Sequence, residues 1–341
     1  MDKFKRILIF ELNWLGDILF SLPFLRAIRK AFPDAYIACV VVPRYADLLV
    51  NNPWINDIHV LTDNNKLTSL GERIKFTRMI KREKYDTAFF LKPSKTKCII
   101  SKLAGIKNRI GFAGKSGKLT TEMDMPEDTI HRADHVLALA AAAGIEKADG
   151  TYEYFTIPED EERLDQILHQ KEIGERTVVV FNPGGNWDAK RWPAENYVAL
   201  AKKILKHHSD VEIVVTGAKK DVGLADTIVN GTGERCRSIA GLTGINELAV
   251  FFKRSDIVIS ADSGPLHLAS ACKTVTIGLF GPTSPGITGP RGQGTNIVIR
   301  SKDVGCVIPC YVDDCDKDFE CMRSITVDAV FDAADKVLRG I

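Results

Sequence analysis

The chain has 341 residues, of which 45% are hydrophobic and 26% charged, so the composition excludes a disordered polymer and predicts two domains of ordinary size. Its formal net charge of +2 gives no general reason to bind nucleic acid. Every apolar run falls far short of the ~20 residues that span a bilayer, and the one near the N-terminus is too short for a signal-peptide core. A cytoplasmic protein is therefore expected.

Short apolar runs alternate with helix-like stretches along the whole chain. The predicted strands are RILIF (6–10), YIACVVV (36–42), TAFFL (87–91), TVVVF (177–181), VEIVV (211–215), DIVIS (256–260) and VTIGLF (275–280). Because these runs are continuously apolar, they are expected to form parallel sheets covered by helices on both faces. The pattern predicts an α/β protein with two doubly wound, Rossmann-like domains that face each other across a cleft. Such sheets bind ligands outside the carboxyl ends of their strands.

The join between the two domains is predicted near the charged segment 156–177, which precedes the first strand of the second half. Residues 1–157 are assigned to the N-terminal domain and residues 158–325 to the C-terminal domain. Apolar residues recur at helical spacing in residues 326–341. This last segment is therefore predicted to be an amphipathic helix packed on the body of the protein.

A glycine-rich loop, NPGGNWDAKRWPAENY (182–197), joins a predicted strand to a predicted helix. Gly184 and Gly185 let the backbone approach a bound group, and the helix that follows favours an anion at its N-terminus. Lys190 and Arg191 add positive charge. A surface turn with two solvated cations explains the loop equally well, since it contains no Walker or GxGxxG pattern.

The loop ISADSGPLHLASA (259–271) has the same strand-to-helix form. Asp262 and Ser263 are candidate caps, and the backbone N–H groups of Ser263 and Gly264 would make a phosphate nest. His267, on the first turn of the helix, would face the same place. Alone, this loop is more simply a capped helix with a partly buried histidine. Together, two such loops at one edge of one sheet favour a diphosphate.

Two further carboxylates follow predicted strands. In VTGAKKDVGLAD, Asp221 is suited to accept hydrogen bonds from ribose hydroxyls, although a carboxylate there is more often simply the first residue of a helix. In ELNWLGDILF, Gly16 and Asp17 separate the first strand from an apolar helix. Asp17 either caps that helix or acts as a base facing the cleft, and the second interpretation depends on phosphates being held opposite.

The motifs NWLGDILFSLPFLRAIRKAFPDA, PGGNWDAKRWP, TGAKKD, IAGLT, ADSGPLHLA and LFGPTSP closely resemble those of the heptosyltransferases of lipopolysaccharide core synthesis, glycosyltransferase family nine. The resemblance covers nearly the whole chain, and the segment 82–112 is most similar to the second heptosyltransferase. It implies the GT-B fold, with the donor sugar nucleotide on the C-terminal domain and the acceptor on the N-terminal domain. It also implies an inverting transfer of heptose from ADP-heptose to an inner-core acceptor, with no metal ion or other cofactor required.

The resemblance also assigns roles to individual residues. Asp17 falls on the family's general base, Lys190 on a lysine that contacts the donor phosphates, and Asp221 on the acidic residue that binds ribose. The other positions that it assigns to donor binding are Gly184, Gly185, Asn186, Leu242, Thr243, Asp262, Ser263, Gly264 and His267. The loop IAGLT, which contains Leu242 and Thr243, resembles the adenine-contacting loop of the family.

The implied acceptor is a lipid-anchored, Kdo- or phosphate-bearing glycan, and the N-terminal half supplies cations suited to it. Those assigned to the acceptor are Lys92, Lys95 and Arg109, within a larger set that includes Arg26, Arg29, Arg44 and Lys97. Each of them taken singly is explained equally well as a solvated surface charge. A lipid-anchored acceptor also implies transient contact with the surface of the inner membrane. No nucleic-acid partner is expected.

Four of the eight cysteines crowd into one segment, at Cys306, Cys310, Cys315 and Cys321. Their spacing is wider than the paired CxxC of a zinc ribbon. In a cytosolic loop, reduced thiols or a redox-dependent disulfide are favoured over a structural zinc ion, which stays an alternative.

Three alternatives to heptosyl transfer remain open at this point. The same fold serves glycosyltransferases that use another nucleotide sugar or another glycan. Two Rossmann-like domains also occur in sugar-nucleotide epimerases and in dinucleotide oxidoreductases, although the missing GxGxxG after the first strand disfavours the oxidoreductase. A non-catalytic nucleotide-binding module is disfavoured because Asp17, Lys190 and the set from Asp262 to His267 are present together.

Overall fold

The computed structural model describes residues 4–61, 67, 69–114, 118–145, 148–174, 176–301, 304–312 and 314–341. The chain divides into two compact units, Met1–Tyr152 and Glu153–Ile341. The predicted join at residues 157–158 lies a few residues after this division, and the functional roles given to the two domains remain predictions. In the described part of the chain, no helix has both the length and the apolar character needed to cross a bilayer.

The first unit is an α/β unit built on one parallel sheet. Helices connect several of its strands, and one helix follows the last strand. Its strands are β1 (Arg6–Phe10), β2 (Tyr36–Val41), β3 (Asp57–Val60), β4 (Thr87–Phe90), β5 (Asn108–Phe112) and β6 (Thr121–Met123). Its helices are α1 (Leu15–Ala31), α2 (Leu70–Glu83), α3 (Lys95–Leu103) and α4 (Arg132–Leu137). The six strands form one sheet in the order β3-β2-β1-β4-β5-β6, and every neighbouring pair is parallel.

The central strands β1, β2 and β4 are almost wholly buried, as expected where helices cover both faces of a parallel sheet. On one face, Phe10 and Phe90 pack with Phe76 of α2 and Cys98 of α3 in one buried cluster. The rings of Phe10 and Phe90 stack with their centroids 4.9 Å apart. Helix α1 contacts α4 and buries every residue from 18 to 28, as expected for a helix surrounded by protein.

The second unit repeats this plan. Its strands are β7 (Thr177–Asn182), β8 (Val211–Val215), β9 (Cys236–Ser238), β10 (Ile257–Ala261), β11 (Val275–Phe280) and β12 (Asn296–Arg300). Its helices are α5 (Pro158–Gln170), α6 (Ala194–His207), α7 (Val222–Thr232), α8 (Ile245–Arg254), α9 (Gly264–Ala271), α10 (Pro285–Thr288), α11 (Glu320–Arg323) and α12 (Val327–Leu338). The parallel strands lie in the order β12-β11-β10-β7-β8-β9, so the predicted pair of doubly wound α/β sheets is confirmed.

Each sheet reverses its strand order at one place. Strand β1 has β2 on one side and β4 on the other, and β7 has β8 on one side and β10 on the other. At such a switch point, a crevice opens at the carboxyl ends of the two central strands, and doubly wound proteins bind ligands there. The segments after β1 and β4, and those after β7 and β10, are therefore the expected sites.

The end of the chain packs within the second unit. The segment predicted as a C-terminal amphipathic helix forms α12, which lies against α6. Asp328 of α12 pairs with Lys203 of α6 at 2.6 Å. Just before α12, the carbonyl of Ile325 accepts a 2.9 Å hydrogen bond from the buried indole N–H of Trp192. This bond ties the loop after β7 to the segment that precedes α12.

Candidate active site

In the second unit, the loops after β7 and β10 meet at the switch point. The loop after β7 contains a short turn of 3-10 helix, Asp188–Lys190, which brings Lys190 to the loop after β10. Lys190 Nζ donates hydrogen bonds to Asp262 Oδ2 (2.8 Å) and to the Asp262 carbonyl oxygen (3.2 Å). Two residues predicted from separate motifs are thus in direct contact.

Asp262 is the centre of this cluster and is only 3% exposed. Besides binding Lys190, it accepts a hydrogen bond from the Thr288 hydroxyl (3.1 Å), and its Oδ1 lies 3.3 Å from His267 Nε2. Burial alone would raise the pKa of Asp262, but the hydrogen bond with His267 and the charge of Lys190 outweigh it and hold that pKa well below its usual range. Asp262 is therefore a carboxylate that fixes Lys190 and His267 in place.

Helix α9 begins directly after this carboxylate. Ser263 is its N-cap residue and Pro265 lies in its first turn, as the sequence predicts. The Ser263 hydroxyl does not cap the helix and lies 3.1 Å from the Ser260 hydroxyl instead. The Ser263 hydroxyl therefore does not cap the N-terminus of α9, which begins at Gly264, and such a terminus attracts anions.

Two cations hold the glycine-rich loop after β7. The carbonyl of Gly185 accepts hydrogen bonds from Arg191 (2.8 Å) and Lys220 (3.0 Å), and Lys220 also donates to Asn186 Oδ1 (2.8 Å). Gly184 is buried, whereas Asn186 is exposed. The sequence patterns do not single out Lys220. The one sequence feature that could have indicated its role is its position in the loop directly after a predicted strand.

Asp221 lies beside this loop and is only 5% exposed. Its Oδ2 accepts a hydrogen bond from the backbone N–H of Ala218 (3.0 Å). A Cβ atom on Gly184 would come within 2.5 Å of the same oxygen, and Arg191 lies 3.9 Å from Oδ1. Asp221 thus shapes the loops after β7 and β8, and its contact with ribose stays a prediction.

The loop after β9 carries Leu242 and Thr243. The backbone N–H of Gly241 donates to the carbonyl of Gly217 (2.8 Å), so this loop packs beside the loop after β8. Gly241 has a φ of +75°, which a residue with a side chain rarely adopts. Leu242 is 43% exposed and Thr243 half-buried. The exposed aliphatic side chain of Leu242 offers a surface on which a planar base can pack.

In the first unit, Asp17 lies at the switch point between β1 and β4. It is the third residue of α1, and the N-cap residue is Trp14, so Asp17 is not the N-cap that the simpler interpretation requires. Its side chain is half-buried. In the first turn of a helix, the aligned peptide dipoles favour the negatively charged form of a carboxyl group.

A second carboxylate at this switch point, Glu11, is not singled out by any of the sequence patterns. It is buried directly after β1, and its Oε2 accepts a hydrogen bond from Ser21 Oγ (2.8 Å), one turn after Asp17 on α1. Its Oε1 lies 3.8 Å from Cys39 Sγ. Burial raises the pKa of Glu11 to about 7.

The cations predicted to meet the acceptor differ in their surroundings. Lys92 and Lys95 are exposed, one on the loop after β4 and the other at the start of α3. The Arg109 guanidinium donates to three backbone carbonyls within residues 106–118, and the buried Arg26 donates to two others. Arg109, on β5, is thus engaged with backbone on either side of its strand, and a role of all three assigned cations in binding the acceptor stays a prediction.

The four clustered cysteines surround one cavity behind the Lys190 loop. That cavity is lined by Ala189, Pro282 and the four thiol-bearing residues, Cys306, Cys310, Cys315 and Cys321. Burial raises the pKa of the Cys321 thiol, and the three neighbouring thiols act in the same direction. Within the described residues, no group of three or more cysteine, histidine or carboxylate side chains is arranged to hold a metal ion.

A family model described as glycosyltransferase family 9 (heptosyltransferase) matches residues 73–312. The chain belongs to this family. Lipopolysaccharide heptosyltransferase 2 of Escherichia coli K12 is 25% identical to it over 306 residues, which cover 86% of this chain and 87% of that relative.

Solved structures of family 9 share the fold of this chain. The glycosyl transferase family 9 protein of Veillonella parvula DSM 2008 has a TM-score of 0.87 at 22% identity, and the match covers 99% of this chain and 98% of that one. Escherichia coli ADP-heptose lps heptosyltransferase II has a TM-score of 0.80 at 24% identity, over 98% of this chain and 99% of that one. The predicted family, its glycosyltransferase class and the GT-B fold are confirmed.

Proposed function

We propose that this family 9 glycosyltransferase transfers heptose from ADP-heptose to the inner core of lipopolysaccharide, with inversion at the anomeric carbon. The names of its relatives support both substrates, since they include a lipopolysaccharide heptosyltransferase and an ADP-heptose heptosyltransferase. The observation that carries the proposal is the cluster of Lys190, Asp262 and His267 at the switch point of the second unit. It offers a fixed cation beside the N-terminus of α9, where doubly wound units bind phosphate groups.

The cluster suits the leaving group of this reaction. As the bond from the sugar to ADP breaks, negative charge accumulates on the β-phosphate, and Lys190 and the N-terminus of α9 would stabilise it. Asp262 is a carboxylate that would repel the diphosphate, so we assign it to orienting Lys190 and His267. Because protein groups supply the positive charge, the proposed transfer contains no step that requires a metal ion.

We assign the nucleoside to the adjoining loops of the same unit. Ribose would lie by Asp221. Because Oδ2 of this residue already accepts the backbone N–H of Ala218, Oδ1 is the oxygen that would accept hydrogen bonds from the ribose hydroxyls. The adenine would lie on the loop of Leu242 and Thr243, which packs beside the loop after β8. This arrangement places the base, the sugar and the diphosphate along one edge of one sheet.

In the first unit, we assign the general base to Asp17. An alcohol is a poor nucleophile at neutral pH, and a positioned carboxylate that takes its proton accelerates such a step by roughly 10²–10⁴. The acceptor oxygen would attack the anomeric carbon from the face opposite ADP, which inverts that carbon. The proton passes to Asp17, and ADP leaves with the bonding electron pair.

We further propose that the enzyme works in the cytoplasm at the surface of the inner membrane, where it would meet a lipid-anchored acceptor. Helix α2 supports this, because its exposed charged residues are all cationic and accompany two exposed aliphatic residues, Leu70 (72% exposed) and Ile74 (40%). The cations are Arg73, Lys75, Arg78, Lys81 and Arg82. Basic and aliphatic residues exposed together on a helix favour contact with an anionic lipid surface.

A panel of nucleotide sugars tests the proposed reaction. The protein would be incubated with ADP-heptose, other ADP-sugars, UDP-sugars and GDP-sugars, and its melting temperature and its transfer to deacylated inner-core glycan would be measured. We expect ADP-sugars alone to stabilise it and ADP-heptose to support inverting transfer, which NMR of the product reports. Stabilisation by a UDP- or GDP-sugar would indicate a different donor. Conversion of the nucleotide sugar without any acceptor would indicate an epimerase.

We expect the four clustered cysteines to be reduced thiols or to form a redox-dependent disulfide, and to take no part in transfer. The alternative is a structural zinc ion held by the same four sulfurs. Metal analysis of protein purified in reductant distinguishes the two, since stoichiometric zinc or iron would contradict the expectation.

A further inference from the structure

Lys97 is a half-buried lysine in the first turn of α3. Its Nζ lies 5.7 Å from the centroid of the Phe10 ring, at the carboxyl end of β1. Within the part of the chain that the structure describes, Nζ makes no ion pair and no hydrogen bond. Burial lowers the pKa of Lys97 to about 8.

Glu11, the buried carboxylate of the same switch point, does not pair with Lys97 directly. Its charge favours the protonated form of Lys97, but its own oxygens contact the Ser21 hydroxyl and the Cys39 thiol. Partly removing an ammonium group from water without an ion-pair partner is costly, and the nearby charge of Lys92 adds repulsion. Perturbed charged groups of this kind are concentrated at binding sites, where a ligand supplies the missing opposite charge.

The position of Lys97 in the fold also fits a ligand. Helix α3 follows β4 and α1 follows β1, so Lys97 and Asp17 both lie in the first turns of helices that begin at the same switch point. Lys97 belongs to the first turn of α3, where the peptide dipoles attract anions. Two further cations, Lys92 and Lys95, are exposed around the beginning of this helix.

We propose that Lys97 binds an oxyanion of the acceptor glycan, a carboxylate or a phosphate, and thereby holds the acceptor hydroxyl near Asp17. This inference rests on the proposed function. The anion pairs with the ammonium of Lys97, while Lys92 and Lys95 attract it from solution. The donor diphosphate is a separate anion, which we have assigned to the second unit.

Lys97→Met tests the proposal, and Lys102→Met is the matched control. Methionine has a similar length and is apolar, so it suits a half-buried position, whereas Lys102 is exposed in the last turn of the same helix. With deacylated inner-core glycan as acceptor, K97M should raise the acceptor KM roughly 10- to 100-fold, and K102M should not change it. Equal stabilisation of all three proteins by ADP shows that the donor site is intact.

Two modified acceptors identify the anion. In one the carboxylates are reduced to alcohols, and in the other the phosphates are removed. The KM penalty of K97M should vanish with the acceptor that lacks the recognised group and persist with the other. An unchanged acceptor KM for K97M, or a penalty that persists with both modified acceptors, would overturn the proposal.

A binding measurement separates a failure of this proposal from a failure of the proposed function. The lysine amines are labelled by reductive ¹³C-methylation, and the Lys97 signal is assigned by its absence from K97M. Deacylated glycan should shift this signal in the wild type without any donor, and equally in K102M. Normal transfer with no shift refutes the Lys97 site alone, and a shift without transfer refutes the proposed reaction alone. Absence of both refutes both.

Discussion

Asp262→Asn is the most direct perturbation of the cluster that we assign to the donor diphosphate. The substitution keeps the shape of the side chain but removes the charge that Lys190 Nζ contacts at 2.8 Å. The amide can no longer hold Lys190 and His267 together as a carboxylate does. Both the stability of the second unit and its affinity for ADP should therefore fall.

The size of the stability loss follows from the burial of the two charges. Removing one partner of a fully buried ion pair costs about 3–5 kcal/mol. The Lys190 side chain is 25% exposed, so water can solvate the remaining ammonium, and we expect about 2–3 kcal/mol instead. At ~2–4 °C per kcal/mol for a unit of this size, the melting temperature should fall by roughly 4–12 °C.

The loss should also depend on pH in a defined direction. The pKa of Asp262 is lower in the folded protein than its ordinary value of 3.8. The stabilisation is therefore complete above that ordinary value and is lost as the pH falls through the lower pKa of the folded state. The difference between the wild type and D262N should stay constant near neutral pH and shrink only in acid.

Thermal unfolding of the wild type, D262N and D188N, with and without ADP, measures these effects. Asp188 is a control in the glycine-rich loop after β7, since its side chain is 79% exposed and its 3.0 Å pair with Arg191 should contribute less than about 1 kcal/mol. A D262N protein that melts within about 1 °C of the wild type and keeps its full stabilisation by ADP would refute this account of the cluster.

Three further predictions concern the remaining site residues. Asp17→Asn should lower kcat roughly 10²–10⁴-fold and leave the affinity for ADP-heptose, measured by calorimetry, unchanged; an equal loss of both would contradict the assignment of the base. Gly184→Ala would place a Cβ atom 2.5 Å from Asp221 Oδ2 and should lower the free energy of unfolding by about 1–3 kcal/mol. Gly185→Ala meets no atom within 4 Å and should be neutral, so equal urea midpoints for the two variants would argue against the close packing of Asp221. Because the pKa of Glu11 rises from 4.5 to about 7 on folding, the folded state binds a proton that the unfolded state has lost. The free energy of unfolding should then rise by about 2 kcal/mol as the pH falls from about 7 to about 5. Urea titrations should show a smaller rise in Glu11→Gln, and an unchanged rise would assign it to another group.

The sequence predicts those features that depend on local pattern. Residues 177–181 are continuously apolar because β7 is enclosed on both faces of its sheet, and the observed strand extends one residue further, to Asn182. Lys190 and Asp262 are predicted to share a site because the carboxyl ends of neighbouring parallel strands lie at one edge. Their contact at 2.8 Å follows from the pairing of β7 with β10.

The environments of polar groups could not be predicted, because they depend on segments distant in sequence. Thr288 reaches Asp262 from α10, and Lys220 reaches Gly185 from the loop after β8. The sequence predicts that Arg109 is a cation suited to an anionic ligand, but its guanidinium donates hydrogen bonds to backbone carbonyls of its own unit. Contacts with donor and acceptor remain predictions, since they depend on molecules outside the chain.

The hydrogen bond from Trp192 to the carbonyl of Ile325 links the loop of Lys190, which we assign to the donor phosphates, to the segment that precedes the last helix. Trp192 lies two residues after Lys190, and Ile325 lies two residues before the start of α12. A truncation that removes Ile325 would break this hydrogen bond and loosen the loop that holds Lys190. We therefore expect a protein truncated before Ile325 to bind ADP more weakly even when its sheets are intact.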